Sequence, residues 1–123
     1  MFIVLMVDND ATIRIIAKNA IESHWDCKVL SAVNGAEALK VALKEQPKLI
    51  LLDVIMPGLD GVQTLKKLRE QGSNAPVIFV TAKTETDELK QYDNLNVISV
   101  LTKPFVPVQL LEECKKVLGE PTK

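Results

Sequence analysis

LILLDVIMPGLDG (49–61) begins with four aliphatic residues, meets an aspartate, and leaves through Pro57, Gly58 and Asp60-Gly61. A strand exposed on one face alternates apolar with polar residues, and Leu49–Leu52 does not alternate. So short and continuous an apolar run predicts a strand buried on both faces, as in a parallel sheet. Asp53 then places a charge where the chain leaves that sheet.

Working outward, four more runs of this kind appear: Phe2–Val7, Lys28–Val33, Val77–Val80 and Val97–Leu101. Helical periodicity fills the gaps. Ile13, Ile16, Ala17, Ala20 and Ile21 form one face of a first helix, with Asp10 as its N-cap. A second opens at Asn34, with Glu37 in capping-box register, buries Ala36, Leu39, Ala42 and Leu43, and ends before Pro47. A third follows Asp60-Gly61, buries Val62, Leu65 and Leu68, and stops near Gly72.

The fourth, Thr84–Asp93, offers a core only Leu89 and Tyr92 and should be the least stable element. The fifth starts at Pro107 and buries Leu110, Leu111, Cys114, Val117 and Leu118. Five strand-then-helix units predict an α/β fold, a five-stranded parallel sheet with helices on both faces and right-handed crossovers.

Composition narrows the classes. The 123 residues, 47% hydrophobic and 25% charged, predict one globular domain over 1–119 with a tail at 120–123. A net charge of −1 provides no bulk field for nucleic acid or an anionic membrane. Lys66-Lys67-Arg69 and Lys115-Lys116 read as solvated helix faces. The first apolar run is too short for a signal peptide or a membrane span. Cys27 and Cys114 have no metal spacing and read as core filling in a reduced, cytoplasmic setting. His24, beside Trp25, reads as a surface or packing residue.

Polar residues collect where strands end: Asp8, Asp53, Thr81, and Thr102-Lys103-Pro104, whereas the second strand ends blandly at Val33-Asn34. Taken singly, each is unremarkable. Aspartates begin turns, threonines suit strands, and a lysine is commonly solvated. In an open parallel sheet, however, these ends face one crevice where the strand order reverses. Two carboxylates about 4 Å apart repel by roughly 4 kcal/mol at an effective dielectric of 20, so they call for a cation. Oxygen ligands with an open face suit Mg²⁺, whose retained waters a phosphoryl oxygen can replace. A lysine and a hydroxyl add further contacts for that group. The set predicts a phosphoryl-accepting site.

LILLDVIMPGLDG (49–61), FVTAK (79–83) and LTKPF (101–105), with the acidic cluster after the first strand, resemble the receiver domain of two-component response regulators over essentially the whole chain. The resemblance implies a flavodoxin-like, doubly wound sheet in the order 2-1-3-4-5 and a cis Lys103–Pro104 bond. It also implies that Asp53 accepts a phosphoryl group from a phosphohistidine on a sensor histidine kinase or phosphotransfer protein. Lys103 and Thr81 would contact that group. Mg²⁺ would be held by Asp8, Asn9, Asp53 and the backbone carbonyl of Ile55. Such a domain catalyses only its own phosphoryl uptake and loss, and switches a surface read by a protein target or an output domain. After the fifth helix only Gly119 to Lys123 remain. The chain is therefore expected to act through a partner or to be one domain of a longer protein, without direct contact to nucleic acid or membrane.

Three positions depart from the family pattern. Asn9 stands where an acid is usual, which removes one charge from the metal site while keeping an oxygen. Val100 replaces the aromatic that turns inward when the threonine engages phosphate, and Val106 replaces a polar cap. Two rival functions are also compatible with the sequence. VDNDAT (7–12) matches the Asp-x-Asp-x-Thr motif of haloacid-dehalogenase-like phosphohydrolases, in which Asp8 would be the nucleophile. Alternatively, the chain keeps the fold as a non-phosphorylated binding module.

Overall fold

A computed structural model describes residues 1–82 and 86–123, without the side chains of residues 86, 87 and 90. The sheet comprises β1 (Phe2–Val7), β2 (Cys27–Ala32), β3 (Leu49–Asp53), β4 (Val77–Ala82) and β5 (Val97–Lys103), all parallel, in the order β2-β1-β3-β4-β5. The helices are α1 (Ala11–His24), α2 (Gly35–Glu45), α3 (Gly61–Glu70), α4 (Thr86–Leu89) and α5 (Pro107–Leu118).

Both faces of the sheet are covered, which accounts for the unbroken apolar runs. Val4, Met6, Leu49, Leu51, Ile78 and Val80 pack under α1 and α5 with Ile21, Trp25, Cys27, Leu110 and Cys114. The alternate residues Leu5, Val7, Ile50, Leu52, Val77 and Phe79 pack under α2 and α3 with Ala38, Ala42, Leu65 and Leu68. Central β3 is buried at every position, whereas edge strands β2 and β5 are not. The two cysteines are free and buried.

Helix starts follow the local chemistry. Asp10 accepts from Thr12 N at 2.9 Å, and Asn34 accepts from Glu37 N at 2.8 Å. Asp60 and Gln63 form a reciprocal capping box that opens α3. Val106 gives α5 no side-chain acceptor; instead Gln109 Oε1 accepts from the Val106 amide at 2.9 Å.

Several expectations are corrected. The second strand lies one residue earlier than expected, because Cys27 pairs with Phe2 and is buried while Val33 turns outward. On α2, Gly35, Ala38 and Ala42 are the buried face, with Leu39 half-buried; Ala36 is exposed and Leu43 is 63% exposed. Small residues let this helix lie close to the sheet, and the larger Leu43 faces solvent. On α3, Thr64 is buried and Val62 only half-buried.

Where a fourth full helix was expected, α4 is one α turn that continues as a 3₁₀ segment, Lys90–Leu95. Thr84 and Glu85, the expected start, lie outside the described residues. Leu89 is buried and Tyr92 half-buried, the two anchors expected. Among the described residues, four helices have ten residues or more. Arg69 ties this region to α3: its guanidinium donates to Leu95 O at 2.8 Å, Ser73 O at 2.9 Å and Ala75 O at 2.8 Å. Residues 120–123 do not trail free. Thr122 N and Lys123 N donate to His24 O at 2.9 and 3.1 Å.

Candidate functional site

Strand periodicity gathers the polar ends. Asp8 follows Val4 and Met6 in the two-residue repeat, Asp53 follows Leu49 and Leu51, and Lys103 follows Leu101; all those apolar residues face α1 and α5. The three polar residues thus share one side of the sheet edge. Thr81 has the opposite parity, following Val77 and Phe79 on the α2–α3 side. β1 and β3 are neighbours, and the chain leaves them in opposite directions along the sheet, so Asp8 and Asp53 flank the switch point.

The acidic pair is buried, Asp8 at 0% and Asp53 at 4% exposure. Lys103 Nζ lies 2.8 Å from Asp8 Oδ2 and 3.5 Å from Asp53 Oδ2. Asp8 Oδ1 accepts from Asp10 N at 2.8 Å, and Asp53 Oδ1 from Ile55 N at 3.3 Å. Asp8 is therefore the tightly held member and Asp53 the loosely held one. Burial pushes the Asp53 carboxyl above its ordinary range and the Asp8 charge adds to this, while Lys103 and the Ile55 amide oppose it. Burial works against the Lys103 charge, but its bond to Asp8 and the charge of Asp53 prevail and raise its pKa. The Lys103–Pro104 bond is cis.

Thr81 Oγ1 is buried and meets no hydrogen-bond partner among the described residues. A hydroxyl so placed is a donor available to a ligand oxygen. Asn9 is exposed, as is Ile55 at 61%. Asp10 is the α1 cap and turns to Thr12 N, away from a ligand role. Val100 packs with Tyr92 against the α2–α3 core.

Among the described residues, no group of three or more His, Cys, Asp or Glu side chains is placed to hold a metal. The donors that the resemblance implies are the Asp8 and Asp53 carboxylates, both buried here, with the Asn9 amide oxygen and the Ile55 backbone carbonyl. All are hard oxygens, and that donor set fits Mg²⁺ better than a softer metal. A cavity of about 460 Å³ lies at the other end of the sheet, between the C-terminal ends of α2 and α3, and has no charged side chain in its lining. It has no part in this chemistry.

The family described as response regulator receiver domain matches residues 4–115. The chain belongs to that family. Among relatives of the receiver domain, the sporulation initiation phosphotransferase F of Bacillus subtilis is 34% identical over 115 residues, covering 94% of this chain and 92% of that protein. The alkaline phosphatase synthesis transcriptional regulatory protein PhoP of the same organism is 35% identical, covering 94% of this chain and 48% of that protein. The receiver thus spans most of the first relative and about half of the second. The solved chemotaxis protein CheY4 of Vibrio cholerae superposes with a TM-score of 0.83 at 30% identity, covering 95% of this chain and 98% of that one.

Receiver domains are signalling domains that work with histidine kinases or phosphotransfer proteins, and Mg²⁺ binding is a trait of the family. Among the described residues, no helix is long and apolar enough to cross a membrane.

Two features of this receiver were not read from the sequence. Arg14 Nη1 donates to the carbonyl of Asp8 at 2.8 Å, and no local pattern announces so specific a reach. Gly61 sits against the acceptor strand: a Cβ there would lie 2.5 Å from Asp53 O and 2.7 Å from Val54 Cα. The Asp-Gly pair signals a turn but not this close approach. Gly61→Ala should therefore destabilise the domain by about 1–3 kcal/mol, the range for overpacking, and displace Asp53. Urea denaturation and the amide shifts of Asp53 and Val54 check this; an unchanged midpoint with unchanged shifts would refute it.

Proposed function

We propose that this receiver accepts a phosphoryl group on Asp53 from a phosphohistidine of a histidine kinase or phosphotransfer protein, its working body spanning residues 1–119. The observation that carries the proposal is the convergence of buried Asp8 and Asp53 on Lys103 at the switch point of the sheet. Asp53 supplies the attacking oxygen; its carboxylate is the less tightly bonded of the two. As its O–P bond forms, the P–N bond of the donor imidazole breaks. Lys103 lies within reach of the incoming oxygens, and the Thr81 hydroxyl, which has no partner among the described residues, supplies a neutral donor. Asp8, Asp53, the Asn9 amide oxygen and the Ile55 carbonyl would hold Mg²⁺, which when bound offsets phosphoryl charge.

Thr81 belongs to the opposite strand parity, so its movement toward phosphate would be felt on the α2–α4 side, where Val100 and Leu89 pack. With Val100 in place of an aromatic, that coupling runs through the backbone of β4 and α4. The target is a partner protein or an output domain joined to the receiver. Buried, free cysteines agree with a cytoplasmic setting.

Intact-mass and peptide mapping after incubation with acetyl phosphate and Mg²⁺ tests the proposal. One phosphoryl adduct on Asp53 is expected. An adduct on Asp8 would instead favour the phosphohydrolase chemistry, and none at all the binding module.

Asn9 gives a second expectation. Asp8 and Asp53 contribute −2 against +3 from Mg²⁺ and Lys103, so the resting site binds the metal weakly. Asn9→Asp should tighten Mg²⁺ by about 1 kcal/mol, as for a partly screened charge pair, and lower the Mg²⁺ needed for half-maximal phosphorylation. An Mg²⁺ titration followed by amide shifts around Asp53 measures it. Equal affinities would show that residue 9 does not face the metal.

A further inference from the structure

Every polar backbone and carboxylate atom of Asp8 has a partner. Its amide donates to Ala32 O at 3.1 Å, Oδ1 accepts from Asp10 N at 2.8 Å, Oδ2 from Lys103 at 2.8 Å, and the carbonyl from Arg14 Nη1 at 2.8 Å. The Arg14 bond stands apart from the others. Asp8 O lies in the connection between β1, which ends at Val7, and α1, which begins at Ala11. Neither sheet nor helix holds that oxygen.

Asp8 O belongs to the peptide unit that joins Asp8 to Asn9, so fixing the oxygen fixes the plane from which both residues leave. Arg14 is half-buried on α1, a helix whose start is already set by the Asp10 cap. Its guanidinium is thus anchored on one rigid element and braces the chain where two proposed metal donors branch off. For a carboxylate, charge alone draws a cation over a wide range of angles. A neutral amide oxygen contributes only when aimed, and residue 9 here is an asparagine.

We infer that Arg14 is a positioning residue of the phosphoacceptor site, holding the Asp8–Asn9 peptide so that the Asp8 carboxylate and the Asn9 amide oxygen face one cation together. The inference rests on the Mg²⁺ assignment made above. Arg14 touches neither the metal nor the phosphoryl group; it acts through the backbone.

Positioning and charge make opposite predictions for Arg14. A positive side chain near a cation site weakens binding, so Arg14→Met would tighten Mg²⁺ if charge were all that mattered. If Arg14 aims the donors, the same variant should bind Mg²⁺ about tenfold more weakly, the lower end of what loss of a ligand-orienting partner causes. Arg14→Lys keeps the charge and one donor and should recover part of that loss. The experiment is an Mg²⁺ titration of the full chain as wild type, Arg14→Met and Arg14→Lys, followed by amide shifts. Amide exchange of Asp10 is measured alongside without metal, because its partner is Asp8 Oδ1.

Weaker binding in the Met variant with partial recovery in the Lys variant, and faster Asp10 exchange in the Met variant, is the expected result. Equal or tighter binding by the Met variant overturns the inference, as does a Lys variant no better than Met. A wild type that binds no Mg²⁺ overturns the metal assignment instead. The metal-free exchange then decides for Arg14 alone: faster Asp10 exchange in the Met variant supports its hold on the loop, and unchanged exchange ends it.

Discussion

Asp53→Asn should yield a protein that takes up no phosphoryl group and yet folds more stably than the wild type. The loss is complete because an amide oxygen, though it has lone pairs, lacks the negative charge that makes a carboxylate a nucleophile toward phosphorus. The gain follows from what Asp53 endures in the folded state. It is 4% exposed beside a second buried carboxylate, and its bonds to Ile55 N and Lys103 are long, 3.3 and 3.5 Å. Little attraction is lost when its charge is removed, and the repulsion from Asp8 goes with it. The pH dependence has a definite sign. Burial raises the folded pKa of Asp53 above its unfolded value. Its contribution is therefore fully present below the ordinary carboxylate pKa and is lost as pH rises through the raised one. Wild type should lose stability relative to Asp53→Asn across that acid window and keep a constant deficit above it. Urea denaturation at several pH values, with intact-mass analysis after acetyl phosphate, reads both effects. Phosphoryl uptake elsewhere in the variant, above all at Asp8, would overturn the assignment.

The site was legible because the sequence carries its geometry in a simple period. Strands of even character ending in Asp8, Asp53 and Lys103 place those residues on one side of a sheet edge, whatever the loops do. The fold was legible for the same reason, since runs without alternation call for cover on both faces. Features that depend on distant backbone were not. Arg14 and Arg69 spend their donors on carbonyls, and a carbonyl has no sequence identity. The buried face of α2 was misjudged because Gly35, Ala38 and Ala42 are buried for their smallness, which hydrophobic periodicity weights least. The short α4 reflects a segment with two core anchors, too few to hold a longer helix.

Lys103→Met should cause the largest loss of stability of any single change in the site, and a new dependence on pH. Lys103 is 2.8 Å from Asp8, whose side chain is wholly buried, while the lysine side chain is 26% exposed. Removing one partner of a buried pair leaves the other charge uncompensated, which costs about 3–5 kcal/mol; partial exposure of Lys103 places this pair toward the lower end. The methionine fills the stem's volume, so the deficit reports charge rather than packing. Without the ammonium, only the Ile55 amide, among the described residues, opposes the forces that raise the Asp53 pKa. The variant should therefore be nearest to wild type in acid, where Asp53 keeps its proton, and fall behind as pH rises toward neutrality. Lys103 itself follows the opposite end of the scale. Its folded pKa is raised, so its contribution is full below the unfolded lysine value and is lost only as pH climbs through the higher folded one. The gap between the two proteins should thus open in the acid range, hold across neutrality, and close only in strong alkali. Mg²⁺ should still bind, since a competing cation has gone, but the phosphoryl oxygens lose their lysine contact. Beryllofluoride, a mimic of the phosphoryl group, should then shift the amides of 86–93 in the wild type and leave them unperturbed in the variant. A variant as stable as wild type at neutral pH, or one whose deficit is the same at every pH, would show that the Lys103–Asp8 contact does not govern this site.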